Sequence, residues 1–272
     1  MADYKCSTWW LMAMIVWTAM HVGKAVAAEH VTVDLQLVLA VDISLSMDED
    51  EQRLQRDGYV AAFHDPEIIQ SIKTGANGRI VVTYVEWSGE NYQRIVIPWT
   101  LIDGPETAFK FADRLATVPL ETNYRTSISG ALLFASRLFD DNGYQGRETI
   151  DISGDGANNQ GIPVEEARDA AVRRGISING LPLLLKSGSM DSYFEMLQLD
   201  QYYQQCVIGG TGAFIVPVRH VSEFIPAIRR KLILEIASRD LPIVRIAESS
   251  PRSRADCLIG EKLWKQWMER IQ

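Results

Sequence analysis

Apolar runs alternate with amphipathic ones from Val31 to about Ser238, predicting strands and helices in turn, the pattern of a parallel sheet covered by helices on both faces. The first expected strand, Leu35 to Val41, is apolar at nearly every position except Gln36, as a strand buried on both faces should be, and so belongs at the centre of the sheet. A helix follows from about Met47 to Phe63, with Ser46 and Glu49 at capping-box spacing and Leu54, Gly58 and Ala61 on one face. Asn77-Gly78 turns the chain into a second strand, Ile80 to Trp87. Ser88-Gly89-Glu90-Asn91 then closes a hairpin onto Tyr92 to Trp99, and Trp87 and Trp99 pack around it. Pro98 cannot donate to a ladder on both sides, which makes this third strand an edge, antiparallel to its neighbour.

Helices are expected at about Glu106 to Ala116 and Ser127 to Phe139, the second with Ile128, Ala131, Leu132, Ala135 and Phe139 on one stripe. A strand from Glu148 to Ser153 leads into Gly154-Asp155-Gly156. The helix from Pro163 to Arg174 has Pro at its start, Glu165 and Glu166 in the first turn, Arg173 and Arg174 in the last and Gly175 beyond. Ile176 to Leu185 and Ala213 to Val218 read as the remaining strands, and Phe224 to Ala237 as the closing helix. The expected fold is a doubly wound α/β domain: a mostly parallel central sheet with one antiparallel edge strand and helices on both faces.

Two segments fall outside this pattern. Lys5, an almost wholly apolar run from Trp9 to Met20, and Ala25-Val26-Ala27-Ala28 are the three parts of a secretory signal, which makes residues 1–27 a cleavable leader and residues 28–240 the domain. The run falls short of the ~20 apolar residues that span a bilayer, so no stable membrane insertion is expected after cleavage. Beyond Asp240 the chain turns to Pro, Ser and Arg around Ser249-Ser250-Pro251-Arg252-Ser253. Residues 241–272 read as a tail partly docked through Cys257, with a short helix at Glu261 to Ile271.

Export implies a periplasmic or extracellular location. The 272-residue chain carries a net charge of −8, and loss of Asp3, Lys5 and Lys24 with the leader, a net +1, takes it to −9. No basic cluster stands out, which argues against a nucleic-acid or anionic-membrane partner. The mature chain keeps Cys206 and Cys257, a pair that invites a disulfide in an oxidising compartment.

The candidate chemistry lies at three strand-to-helix junctions: Asp42-Ile43-Ser44-Leu45-Ser46 after the first strand, Thr126 before a helix, and Asp155-Gly156 after another strand. In a doubly wound sheet the crevice beyond the carboxyl ends of the strands binds ligands. Asp42, Ser44, Ser46, Thr126 and Asp155 would converge there as five hard oxygen groups suited to a small hard cation such as Mg²⁺. Each motif alone also reads as an ordinary capped turn.

With these motifs the chain resembles the von Willebrand factor A domain family, whose metal-ion-dependent adhesion site runs Asp-x-Ser-x-Ser, then Thr, then Asp. The resemblance covers about Asp34 to Ala237, and the leader with a single such domain looks like an uncharacterised bacterial secreted family. It implies direct metal binding by Ser44 and Ser46, by Thr126 in a ligand-engaged state, and contact mostly through water by Asp42 and Asp155. The cation would be Mg²⁺ or Mn²⁺, completed by an acidic residue of a partner protein. Two positions depart from the family pattern: Gly154 stands where many members have Thr or Ser, and Thr122-Asn123-Tyr124-Arg125 where many have glycines. Arg125 beside the site would favour an anionic partner.

The resemblance thus implies an exported protein-binding module rather than an enzyme. A metal-dependent phosphoryl or ester hydrolase using Asp42 or Asp155, and a metal-free scaffold, are the alternatives. His30, His64 and His220 lie near no serine elbow, and neither a phosphate-binding loop nor a dinucleotide fingerprint is present. Gly209-Gly210-Thr211-Gly212 reads as a turn. Asp151, inside an expected central strand, should face an exposed patch or an arginine, or else support the metal loops, because a buried carboxylate must find donors or a cation.

Overall fold

The computed structural model describes residues 30–185, 198–237 and 254–271. The expected leader, residues 1–27, and the Ser249 to Ser253 stretch lie outside them. One sheet runs in the order β3-β2-β1-β4-β5, formed by β1 Val31–Asp42, β2 Ile80–Trp87, β3 Gln93–Ile102, β4 Tyr144–Gly154 and β5 Ser177–Pro182. Only β3 is antiparallel to its neighbour, and it is an edge. The ladder slips register around Pro98, between the Ile97–Tyr84 and Thr100–Val82 pairs. The doubly wound α/β fold with one antiparallel edge is therefore present, and β1 is central.

Strand β1 explains its own composition. Leu35, Leu37, Leu39 and Val41 face one layer, with Tyr59 and Phe63 of α1 (Glu49–His64), Phe111 of α3 (Pro105–Ala116) and Ile228 of α7 (Phe224–Ala237). Val38 and Ala40 face the other, with Leu132 of α4 (Ile128–Arg137) and Ala167 of α5 (Val164–Arg173). The exception, Gln36, is buried with its amide spent: Asn142 Nδ2 donates to its Oε1 at 2.7 Å and its Nε2 donates to the Gly146 carbonyl at 3.3 Å.

Helix α1 departs from expectation in two ways. It begins at Glu49 with Asp48 as N-cap, and the capping box is Asp48 with Glu51: Glu51 N donates to Asp48 Oδ1 at 2.9 Å and Asp48 N to Glu51 Oε2 at 3.0 Å. Ser46 is not the cap, because its hydroxyl donates to Asp155 instead. The buried stripe is Gln52, Gln55, Arg56, Tyr59, Ala62 and Phe63, whereas Leu54 is half-buried and Ala61 exposed. Polar residues occupy the inner face because they reach partners on the sheet: Gln55 Nε2 donates to Ser153 Oγ at 2.5 Å, and Arg56 pairs with the buried Glu86.

A helix without counterpart in the sequence reading, α2 (Pro66–Lys73), follows directly. Asp65 ends α1 and accepts from Glu67 N at 2.7 Å as the N-cap of α2, which buries Ile68, Ile69 and Ile72. The expected strand at Ala213 to Val218 is reduced to single bridges, Ile215 to Gly180 and Val218 to Leu183. Gly210 and Gly212 take φ of +90° and +70° just before it, and Pro217 within it has no N–H for a ladder.

Asp151 also has a different setting from any expected. It is buried on β4 and pairs at 2.6 Å with Lys231 of α7, which donates to Glu235 one turn on at 2.5 Å. The buried lysine, not an arginine, an exposed patch or the metal loops, meets its charge.

Beyond β5 come α6 (Leu199–Tyr202), a π-helical turn Tyr203–Val207 and, after α7, α8 (Ile259–Ile271). The disulfide Cys206–Cys257 joins the π-turn to the segment leading into α8. Among the described residues no helix is long and apolar enough to cross a membrane.

Candidate metal centre

Parallel pairing of β1 with β4 puts Val41 opposite Ser153, so both strands end side by side and release Asp42 and Gly154-Asp155 at the same rim. The β1 loop folds back at once: Ser44 N donates to Asp42 Oδ1 at 2.7 Å, and Met47 N donates to the Ser44 carbonyl at 2.9 Å. This turn stacks the two serines. Their hydroxyls lie 3.0 Å apart, and Ser46 Oγ donates to Asp155 Oδ1 at 2.6 Å, bridging the first and third motifs.

The Thr126 loop is drawn in from both sides. Asn123 N donates to the Ile43 carbonyl at 3.0 Å, and Ser127 N to the Ser88 carbonyl at 2.7 Å. Ser127 then N-caps α4, its hydroxyl accepting from Gly130 N at 3.1 Å. Thr126 is buried, and a Cβ on Gly156 would lie 3.8 Å from its Oγ1, which puts that hydroxyl beside the loop after β4. All five sequence-identified oxygen groups meet at one rim.

Residues with no expected role hold the loops in place. Asn159 accepts from Thr126 N at 3.1 Å through its side chain and donates its own N–H to the Thr126 carbonyl at 2.8 Å. Asn158 Oδ1 accepts from Ser129 N at 2.9 Å, and its Nδ2 donates to Glu261 of α8 at 2.7 Å. The one available signal was the row of amides, Asn158-Asn159-Gln160, directly after Asp155-Gly156. Arg125 takes φ of +72°, the conformation that glycines in this segment would supply freely. Its Nε donates to Asn159 Oδ1 at 3.2 Å, its Nη2 to the Asn159 carbonyl at 2.6 Å, and its guanidinium lies 3.6 Å from the centroid of the Trp264 ring.

Gly154 has a steric reason. A Cβ there would lie 2.7 Å from Asp42 Oδ2 and 3.0 Å from the Tyr203 hydroxyl.

Asp42 is completely buried and its Oδ2 has no hydrogen-bond partner. Burial pushes its carboxyl well above the ordinary carboxylate range, the charge of Asp155 pushes the same way, and the N–H groups of Ser44 and Asp155 pull back. A divalent cation would supply the opposite charge that this carboxylate lacks. The donor set fits: two carboxylates and three hydroxyls suit a hard, oxygen-seeking ion. Among the described residues no group of three or more His, Cys, Asp and Glu side chains gathers to hold a metal, which sets this hydroxyl-rich set apart from a carboxylate cage or a nitrogen and sulfur site. Of the described histidines, His64 pairs with Asp113 at 3.2 Å and stacks on Phe109, and His220 precedes the short turn leading into α7.

Solved structures share the fold. Proximal thread matrix protein 1 from the mussel byssus, in a crystal form with a zinc-occupied metal-ion-dependent adhesion site motif, matches at 15% identity and a TM-score of 0.51 over 77% of this chain and 49% of that one. The pilus adhesin SpaC from Lactobacillus rhamnosus GG matches at 12% identity and a TM-score of 0.56 over 75% of this chain and 30% of its own. A von Willebrand factor type A protein from Catenulispora acidiphila matches at 12% identity and a TM-score of 0.50, over 75% and 43% respectively. The chain thus spans half or less of these proteins, and at such identities the likeness is one of fold alone, the α/β fold of von Willebrand A-type domains. Comparison with curated proteins gives no match. Residues 32–240 match the family described as protein of unknown function, DUF1194, and the chain belongs to that family.

Proposed function

We propose that this chain is an exported, metal-dependent protein-binding module. Ser44, Ser46 and Thr126 would hold a Mg²⁺ or Mn²⁺ ion directly, and Asp42 and Asp155 would hold it mainly through water. A bound cation would supply an electrophilic position for an acidic side chain of a partner protein. The observation that carries this reading is the meeting of the first and third motifs at one rim, where Ser46 Oγ donates to Asp155 Oδ1 at 2.6 Å and stands 3.0 Å from Ser44 Oγ.

Hydroxyls where a storage site would use carboxylates leave the ion's charge under-neutralised, which favours an anionic oxygen arriving from outside. Leu45 at 60% and Tyr124 at 72% exposure flank the rim, and Arg125 adds a positive charge beside it, a surface suited to an acidic residue in an apolar setting. The Cys206–Cys257 disulfide accords with export to an oxidising compartment. The zinc-occupied site of the mussel protein lends support from the same fold.

Complete burial of Asp42 speaks against its use as a nucleophile on a substrate, and among the described residues no histidine is placed at the rim as a base. Metal-dependent turnover of phosphate or ester substrates, lost in Asp42→Asn, would overturn the binding reading in favour of a hydrolase.

Thermal unfolding with and without Mg²⁺ or Mn²⁺ tests the metal. At a hundredfold excess over the dissociation constant, binding should add about 2.7 kcal/mol of stability, and Asp155→Ala should abolish the rise. An unchanged melting temperature in the wild type would sink the reading.

A further inference from the structure

The notch at Gly154 joins the metal loops to a part of the fold that the metal reading does not use. Asp42 Oδ2 and the Tyr203 hydroxyl both border the place a side chain at 154 would fill, at 2.7 Å and 3.0 Å from the missing Cβ. Asp42 and Tyr203 are wholly buried, and neither oxygen has a hydrogen-bond partner. A carboxylate oxygen accepts and a phenol donates, so these two are chemically complementary. Leaving both unsatisfied in the interior would forfeit the solvation of each. A swing of the phenol across the notch would join them.

Tyr203 is also well anchored. It opens the π-helical turn Tyr203–Val207, an irregularity that tends to mark functional sites, and the same turn carries the disulfide-bonded Cys206. Its neighbour Tyr202 accepts from Asn158 N at 3.2 Å, so this short stretch touches both the Asp42 side and the loop after Asp155.

We propose that Tyr203 is a positioning residue of the metal centre, its hydroxyl donating to Asp42 Oδ2 across the notch and keeping Oδ1 turned toward Ser44. The effect on affinity rests on the metal-binding reading above; the hydrogen bond does not. A hydroxyl on residue 154 itself could satisfy the same oxygen, but here the donor comes from a distant turn and the glycine makes room for it.

The test titrates Mn²⁺ into the oxidised full chain by calorimetry for wild type and Tyr203→Phe. NMR of the metal-free wild type looks for a slowly exchanging Tyr203 hydroxyl proton. Tyr203→Phe should keep the fold and lose about tenfold in Mn²⁺ affinity, the size of one hydrogen bond to a charged group. The hydroxyl proton should be visible in the wild type. Unchanged affinity in Tyr203→Phe, or no protected hydroxyl proton, overturns the proposal while leaving the metal reading intact. If the wild type itself takes up no Mn²⁺, the metal reading fails, and the hydroxyl proton alone decides: its presence upholds the Tyr203–Asp42 bond and its absence refutes it.

Discussion

Arg125 occupies a backbone region that L side chains avoid, with φ of +72°, and its own contacts hold it there. The two bonds to Asn159 and the stack on Trp264 must outweigh a strain of about 1 kcal/mol or more. Arg125→Ala removes the contacts and keeps the strain, whereas Arg125→Gly removes both, so the alanine variant should be the less stable by about 1 kcal/mol in urea unfolding. Equal stabilities would mean that the backbone carries no strain at this position. The same residues show what a sequence can disclose. Asp42, Ser44 and Ser46 were legible because their spacing is local, and Thr126 and Asp155 because each sits at the junction of an apolar run with a turn or helix. Asn159 and Tyr203 carry no local signature: one is an amide in a polar loop, the other a tyrosine in an otherwise ordinary run. Their parts exist only through contacts across the fold, such as Asn159 with Thr126, 33 residues away.

At the scale of elements, the central place of β1, the antiparallel edge strand and the longer helices were legible, because both faces of the sheet are dry and the apolar periods are clean. Helix α1 was misread on its inner face for the opposite reason. Its polar contacts with β2 and β4 are made by Gln55 and Arg56, which a hydrophobic pattern assigns to solvent. Helix α7 hides a similar polar seam, in which Lys231 sits between Asp151 of β4 and Glu235. Burial, and then the charge of Asp151, push Glu235 up to about 7. A carboxyl ionises near 4.3 in an unfolded chain. Between those values the folded protein holds a proton that the unfolded one has released, so this contribution to stability is fully present at low pH and is lost as pH rises toward 7. Glu235→Gln keeps a neutral side chain at every pH. The difference in melting temperature between Glu235→Gln and wild type should therefore move in favour of the variant from about pH 4.5 to 7.5. A difference that stays flat over that window would show that Glu235 titrates normally.

At the scale of the whole molecule, the C-terminal helix is part of the site's support. The family match ends at residue 240, yet α8 reaches back to the rim, with Glu261 accepting from Asn158 and Trp264 lying under Arg125. Cys257 is bonded to Cys206, but the helix's reach to the rim loops could not be read from the chain, because a lone glutamate and tryptophan on a short amphipathic run point to no particular partner. The tie that holds it is Cys206–Cys257, which closes a separation of 51 residues. In the chain-entropy model such a loop stabilises the fold by about 4 kcal/mol. Cys206→Ser/Cys257→Ser should therefore lower the melting temperature by about 10 °C. The loss should not be uniform. If α8 buttresses the loops, amide exchange should speed up first in residues 254–271 and in Asn158 to Gln160, and Mn²⁺ affinity should fall with it, although no proposed ligand has changed. A double serine variant with a lower melting temperature but wild-type exchange at Asn158 to Gln160 would separate the two roles, leaving the disulfide a staple for the fold and α8 a bystander to the rim.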